Sequence, residues 1–455
     1  MAGAVIAVKV VRDAACNWGA QLIVFGARRR HCRAPISRGT LLSDSDPSTG
    51  KTRAAPLILL AQKDFRRAWI AGALTGIMRW LDVLAVSVYV LQITNSAFMV
   101  ALTLFVRIIP MFLFGAAAGA FAEMVDRKKL LVGSLIFLAA IYGVLAWLAW
   151  TGTLEIWQLA VVVFCSGCFW TLELPIRRTM IAEIAGIERI GATMGLESST
   201  NNLTRMLGPF VGGLLFELTG LHGTLALGTI LYLTAAFVLM PIAYGSAPRT
   251  GERPSILGNI IEGFQYVRTS RAIMATLAIT IIINLFGFSF ISMVPVIAKQ
   301  ELGLSPFPTG ILMSAEGCGA FFGALLIAFY APPRRFRQIY LGGSCIYLGG
   351  ILMFALSPYF GTSLALLWVG GFGVAGFTSM QSALIISNSP PEIRNRVMGV
   401  LTMCIGIGPL GILIVGSLSE QLGAPTGILI TSSTGLIGLV CAVLIWPESR
   451  KLREA

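Results

Sequence analysis

Charge is scarce in this sequence. Of 455 residues only 12% are Asp, Glu, Lys or Arg, while 56% are hydrophobic and the mean hydropathy is +0.81. A water-soluble chain of this length does not bury that much apolar surface, because a single core stops growing at domain size. Histidine is scarcer still. The two present are His31, near the N-terminus, and His222, in a short segment between apolar runs. With no P-loop, no metal-ligand spacing and no nucleophile elbow, nothing points to an enzyme or to a bound cofactor or metal. Eight cysteines are present. Six of them (Cys165, Cys168, Cys318, Cys345, Cys404 and Cys441) fall inside apolar runs, so they read as small core residues and imply no disulfide framework.

What is present is a series of apolar runs long enough to cross a bilayer, which takes about 20 residues each. The runs lie at 68–92, 97–121, 130–150, 156–175, 193–218 and 223–245, then at 272–298, 307–330, 337–357, 361–387, 397–419 and 425–446. They predict an all-α polytopic membrane protein of twelve transmembrane helices. The net charge of +13 would suit a nucleic-acid partner, but its distribution excludes one. Lys and Arg fall on alternate connections: Arg127, Lys128 and Lys129; Arg177, Arg178 and Arg189; Arg249, Arg253, Arg268 and Arg271; Arg334, Arg335 and Arg337; Arg394 and Arg396; Arg450, Lys451 and Arg453. The opposite connections carry only Lys299. This positive-inside pattern predicts that both termini are cytoplasmic. Trp147, Trp150, Trp157 and Trp446 sit near run ends, as interfacial anchors do.

The runs repeat. Gly115-x3-Gly119 recurs as Gly319-x3-Gly323, Met194-Gly195 as Met398-Gly399, Gly208-Pro209 as Gly408-Pro409, and Glu217-x2-Gly220 as Glu420-x2-Gly423, at offsets of 200 to 204 residues. Four echoes in register imply duplicated six-helix halves. The domain reading is a cytoplasmic, disordered extension at 1–64, one bundle at 65–245, a linker at 246–271, a second bundle at 272–447 and a tail at 448–455. Within the linker Ile256, Leu257, Ile260, Ile261, Phe264 and Val267 recur at helical spacing, predicting an amphipathic helix on the membrane surface.

Polar residues inside the runs are the candidate working parts. A charge at mid-membrane costs about 2.5–3.5 kcal/mol on insertion scales, so each should face a cavity or a partner. Arg79 and Asp82, three apart, can neutralise each other on one helix face or serve a transport path. Arg107 follows in the second run and Glu316 in the eighth. In the fifth run Glu197, Asn201 and Arg205 descend in steps of four, and Gly208 and Gly212 continue the same stripe, within a band about 80° wide. Pro209 cannot donate to the Arg205 carbonyl, which weakens the helix where the stripe turns from charge to bare backbone. Either Glu197 or Glu316 can carry a proton in exchange for cargo, with an arginine such as Arg205 as the cation that favours the ionised carboxylate.

Twelve runs in two parallel halves, together with these motifs, resemble the major facilitator superfamily. The stretch Gly119-Ala-Phe-Ala-Glu123-Met-Val-Asp126-Arg127-Lys128-Lys129 resembles that family's loop between spans two and three, with Glu123 for the usual Asp, Met124 for Arg and Asp126 for the second Gly. The resemblance implies a gating role for this loop. The glycines Gly195, Gly208, Gly212 and Gly213 with Pro209 match the family's span-five pattern associated with antiporters, except that Thr204 stands where Gly is usual. Asn202-x2-Arg205-x2-Gly-Pro and Pro391-Glu-x-Arg394-x-Arg396-Val-Met-Gly399 resemble the transmembrane secretion effector branch, which includes enterobactin-exporter-like proteins. The implied function is secondary active transport by alternating access between the halves. It takes the form of proton-coupled efflux of a small amphipathic molecule by a monomer in a bacterial inner membrane. A nutrient importer of the same fold and a non-transporting membrane sensor are the competing readings.

Overall fold

A computed structural model describes residues 59–124, 126–186, 189–244, 256–390 and 393–447. Residues 1–58 of the expected extension, part of the linker and the C-terminal tail lie outside these residues; the last six of the extension, 59–64, are described, with Leu59 buried and the first helix beginning at Lys63. The first half comprises α1 (Lys63–Thr94), α2 (Ala97–Met124), α3 (Arg127–Thr151), α4 (Ile156–Ala185) and one long helical run, Ile190–Leu239. At about 1.5 Å per residue that run would be more than twice as long as a bilayer is thick. It breaks at Gly220, whose φ of 68° and ψ of −165° suit only a residue without Cβ, and so yields α5 (190–219) and α6 (221–239). The linker helix α7 is Ile256–Thr269.

The second half follows with α8 (Arg271–Gln300), α9 (Pro306–Tyr330), α10 (Phe336–Ala355), α11 (Phe360–Asn388), α12 (Arg394–Ile405 continuing as Gly408–Leu422) and α13 (Ala424–Ile445). Among the described residues eleven helices are long and apolar enough to cross a membrane. Since one of them supplies both α5 and α6, the passes number twelve. The helices agree in place with the apolar runs and overshoot them at the basic ends; α4 runs ten residues past the expected end at 175. Arg177, expected in a basic loop, is therefore a helical and buried residue.

The surface is as apolar as a lipid contact requires. Phe137, Val144, Trp147, Trp150, Trp157, Leu218, Phe237, Ile437 and Leu444 are all exposed. The cores of the halves differ in chemistry. In the second half Thr280 and Tyr340 share a hydrogen bond of 3.1 Å, the Tyr340 hydroxyl donates to the Thr276 carbonyl at 2.9 Å, and Gln381 donates to the Thr280 hydroxyl at 2.8 Å. In the first half the polar core is ionic. Both pair most of their buried polar groups internally, as the hydrocarbon demands, though some buried polar atoms of each half have no partner.

The halves meet at one end. Going along α5 from Arg205 toward Glu217, the helix lies against α9, with Pro209 and Gly213 facing Gly310 and Pro306. A Cβ at Gly213 would come within 2.6 Å of the Pro306 carbonyl, so only glycine allows this approach. The symmetry-related seam joins α2 to α12, with Ala101 on Gly416. Toward the basic end, by contrast, Gly115, Gly195 and Gly399 each have open space beside them.

Candidate functional site

Eight charged side chains gather in the middle of the bundle. On α1 they are Arg79 and Asp82, on α2 Arg107, on α4 Glu173 and Arg177, on α5 Glu197 and Arg205, and on α9 Glu316. Arg79 and Asp82 do not neutralise each other. Asp82 turns to α2 and α3, where it accepts from the Arg107 guanidinium and, at 2.7 Å, from the Tyr142 hydroxyl. Arg79 turns to α4 and donates to Glu173 at 3.1 Å. Three residues on a helix subtend enough of an arc for the two side chains to serve different neighbours, and each neighbour offers an opposite charge. The Trp170 ring lies beneath both cations, 4.7 Å from the Arg79 guanidinium carbon and 5.4 Å from that of Arg107.

Of the two candidate glutamates, Glu197 finds its arginine on α4, and Arg205 goes to Glu316. Arg177 donates to Glu197 with both terminal nitrogens, one at 2.7 Å, and its Nε binds Glu173 one turn back on α4. Arg177 thus clamps α4 to α5, and its guanidinium rests where Gly72 of α1 has no side chain. Arg205 lies eight residues beyond Glu197, about 12 Å along the helix, beyond the reach of a shared ion pair. It crosses to the other half and binds Glu316 at 2.8 Å. Asn201, between the two, is exposed. Glu173 and Arg177 are the residues that sequence reasoning missed. The available signal was an acid and a base four apart, which on a helix face each other.

Arg205 is flanked by aromatic rings from both halves, Trp80 at 5.1 Å and Phe288 at 6.0 Å. Phe288 stands where α8 departs from regular geometry, through a π-turn at Ile283–Gly287 and a tight turn at Phe288–Ser292. The pair is buried yet incompletely bonded: Glu316 Oε1, Arg205 Nε and Trp80 Nε1 have no hydrogen-bond partner. By contrast both oxygens of Glu197 and of Glu173 are bonded to arginine. The three glutamates are therefore not equivalent. Two are locked within one half, and the third holds one half to the other with an oxygen to spare.

A model of the family described as transmembrane secretion effector matches residues 53–453. The chain belongs to the transmembrane secretion effector family. It is similar to macrolide efflux protein A of Streptococcus pyogenes, 20% identical over 86% of this chain and 96% of that protein. It is also similar to the multidrug efflux pump Tap of Mycolicibacterium fortuitum, 26% identical over 88% of this chain and 98% of that protein. The enterobactin exporter of Escherichia coli O1:K1 is 22% identical over 87% and 95% respectively. Among solved structures, a bacterial homologue of the human lysosomal transporter Spinster, in an inward-facing and occupied conformation, superposes with a TM-score of 0.67 at 12% identity, covering 85% of this chain and 96% of that one. The fold is thus the major facilitator fold, and the protein is a multi-pass transporter.

In this family member the remaining candidates fall into place as follows. Asp126 caps α3 by accepting from the amides of Lys128 and Lys129 at 3.0 and 3.1 Å. Arg127 donates to Glu183 of α4 at 2.8 Å and to the Tyr244 hydroxyl at 2.9 Å, and Lys128 donates to the Ile242 carbonyl at 2.7 Å. These bonds stay inside the first half. Gly119 and Glu123 lie in the last turns of α2, and their side-chain surroundings are outside the described residues. Of the span-five glycines, Gly208 and Gly212 back onto α1 at Ile77, Trp80 and Leu81, while Gly213 faces the other half and Gly195 faces open space. Thr204, in place of the usual glycine, packs on Gly76 of α1, so the small residue of that contact is supplied by the other helix. The free cysteines include Cys165 and Cys168.

Proposed function

We propose that this transporter expels a small amphipathic molecule in exchange for protons, and that Glu316 is the group through which the exchange is coupled. The observation that carries the proposal is the Arg205–Glu316 pair, a buried ion pair that spans the two halves and leaves one carboxylate oxygen unbonded. With Glu316 ionised, the pair holds α5 to α9 and the ends opposite the basic loops stay together. A proton that reaches the free Oε1 from the side opposite the basic loops cancels the charge that Arg205 pairs with, and a neutral carboxyl holds a guanidinium much less strongly. The halves can then part at that end and discharge cargo. Reclosure and loss of the proton to the basic side, taken as the cytoplasm of a bacterial cell, complete the cycle.

The aromatic rings of Trp80 and Phe288 beside the pair suit cargo with planar or apolar parts. The printed names of the relatives, a macrolide efflux protein, a multidrug efflux pump and an enterobactin exporter, support outward movement of such molecules. Glu197 becomes the weaker candidate, since arginine already holds both its oxygens. The test is flux in inverted membrane vesicles under an imposed pH gradient, with a macrolide, a lipophilic dye and a catecholate siderophore as cargoes. Accumulation driven by an acidic lumen supports the proposal. Gradient-driven flux in the opposite sense makes the protein an importer, and flux that ignores the gradient for every cargo removes proton coupling.

A further inference from the structure

At the end of the bundle opposite the basic loops, two glutamates make the same bonds twice. Glu217, near the end of α5 in the first half, accepts through Oε2 from the Ser305 hydroxyl at 2.6 Å and from the Phe307 amide at 2.9 Å. Glu420, near the end of α12 in the second half, accepts through Oε2 from the Ser96 hydroxyl at 3.0 Å and from the Phe98 amide at 3.0 Å. In each case the partners form a Ser-x-Phe sequence at the start of a helix in the opposite half, α9 in one and α2 in the other. Each carboxylate therefore sits on unsatisfied amides at a positive helix end. The pairing is reciprocal: the first half contributes a glutamate to the second, and the second returns one to the first.

A third contact has the same logic with the signs reversed. Lys299, at the end of α8, donates to the Leu91 carbonyl in the last turn of α1 at 3.4 Å, placing a cation on a negative helix end. All three charges are borrowed by one half from the other. None lies in the ionic core around Arg205 and Glu316.

We propose that Glu217 and Glu420 form a twin latch that closes the face of the transporter opposite its basic loops, with Lys299 as an auxiliary tie. The bonds exist only while the halves are together at this end, so they stabilise the closed face relative to the open one and add nothing within either half. Two equivalent latches make the closure symmetric. Opening must release both helix starts, and releasing one leaves the other to draw the halves back. The glutamates are exposed at the rim, where water can replace the lost acceptor once the face opens. That makes them suited to a contact that is made and broken in every cycle. The proposal rests on the transport reading through alternating access alone, and it is independent of proton coupling at Glu316.

The experiment uses the full chain in liposomes, with spin labels on Thr153→Cys and Gly361→Cys in a background freed of native cysteines. These exposed positions lie beyond α3 and at the start of α11, on the latched face of either half. Distance distributions are measured for the parent and for Glu217→Ala, Glu420→Ala and the double variant. The expected result is a longer-distance population that grows several-fold in each single variant and roughly multiplicatively in the double. Ser96→Ala with Ser305→Ala, which removes the hydroxyl donors and leaves both carboxylates, should shift the distribution the same way by less. Should the glutamate variants fail to fold, the serine pair decides the matter alone. An unchanged distribution in the folded double variant, or in the serine pair, overturns the latch. A latch that responds in a protein showing no gradient-driven flux would leave the latch standing and remove the coupling proposal.

Discussion

Asp82 and Arg107 illustrate what a buried charge asks of its surroundings. Both are almost completely enclosed, and each depends on the other for its charge to be tolerated. Removing one member of such a pair strands the other, at a cost of about 3–5 kcal/mol. Asp82→Ala should therefore lower the thermal midpoint of the detergent-solubilised protein severely. Arg79→Ala should do so much less, because Glu173 retains Arg177 and Thr75 as partners. A fluorescence-based thermal shift comparing the two variants checks this; equal losses would contradict the ranking. The same reasoning separates Glu197 from Glu316. The former is held twice by Arg177, while the latter has a free oxygen and a single charged partner from the other half. Glu197→Gln should act mainly on stability, and Glu316→Gln mainly on coupling.

The helices turn these residues into moving parts. Along α5 the glycines divide their labour by facing. Gly208 and Gly212 fix the helix to α1, Gly213 admits α9, and Gly195 touches nothing. Gly317 of α9 lies against the Arg205 carbonyl, the one that Pro209 leaves without a donor. The break in backbone bonding thus lies on the seam where the halves touch. Gly213→Ala should disfavour the closed face, since its methyl group would overpack the seam at about 1–3 kcal/mol. Gly195→Ala should be neutral or slightly stabilising, because alanine is the better helix former by about 1 kcal/mol. Transport rates of the two variants in the same vesicles, with folding followed by size-exclusion profile, test the contrast. A Gly195→Ala defect as large as that of Gly213→Ala would mean that the motif acts as a whole and not by facing.

At the scale of the whole molecule, the twelve passes and their duplication were legible because the bilayer imposes one length and one composition on every span. Even the Gly220 turn between α5 and α6 showed as a repeat landmark. Six of the eight buried charges were legible as charged residues in apolar runs, whereas Glu173, in the run at 156–175, was passed over. The partners of the six were not legible, because Asp82 and Arg79 choose among helices that only the tertiary arrangement brings near. Arg177 was hidden by position, four residues past Glu173 and next to Arg178, where it looked like the start of a basic loop. The latch was half visible. Glu217 and Glu420 stood out as echoes, but the Ser-x-Phe sites that receive them lie on the opposite halves, and no reading along the chain joins them.

These scales meet in one claim, that a proton at Glu316 governs whether the halves hold together. The direct measurement compares the parent and Glu316→Gln for cargo flux in inverted vesicles, with and without an imposed pH gradient, beside cargo exchange at equilibrium. The account predicts that the parent accumulates cargo only with the gradient. Glu316→Gln should keep equilibrium exchange and lose at least tenfold of the gradient-driven component, about 1.4 kcal/mol of coupling. A Glu316→Gln protein that still accumulates cargo at the parent rate when the gradient is applied would contradict it.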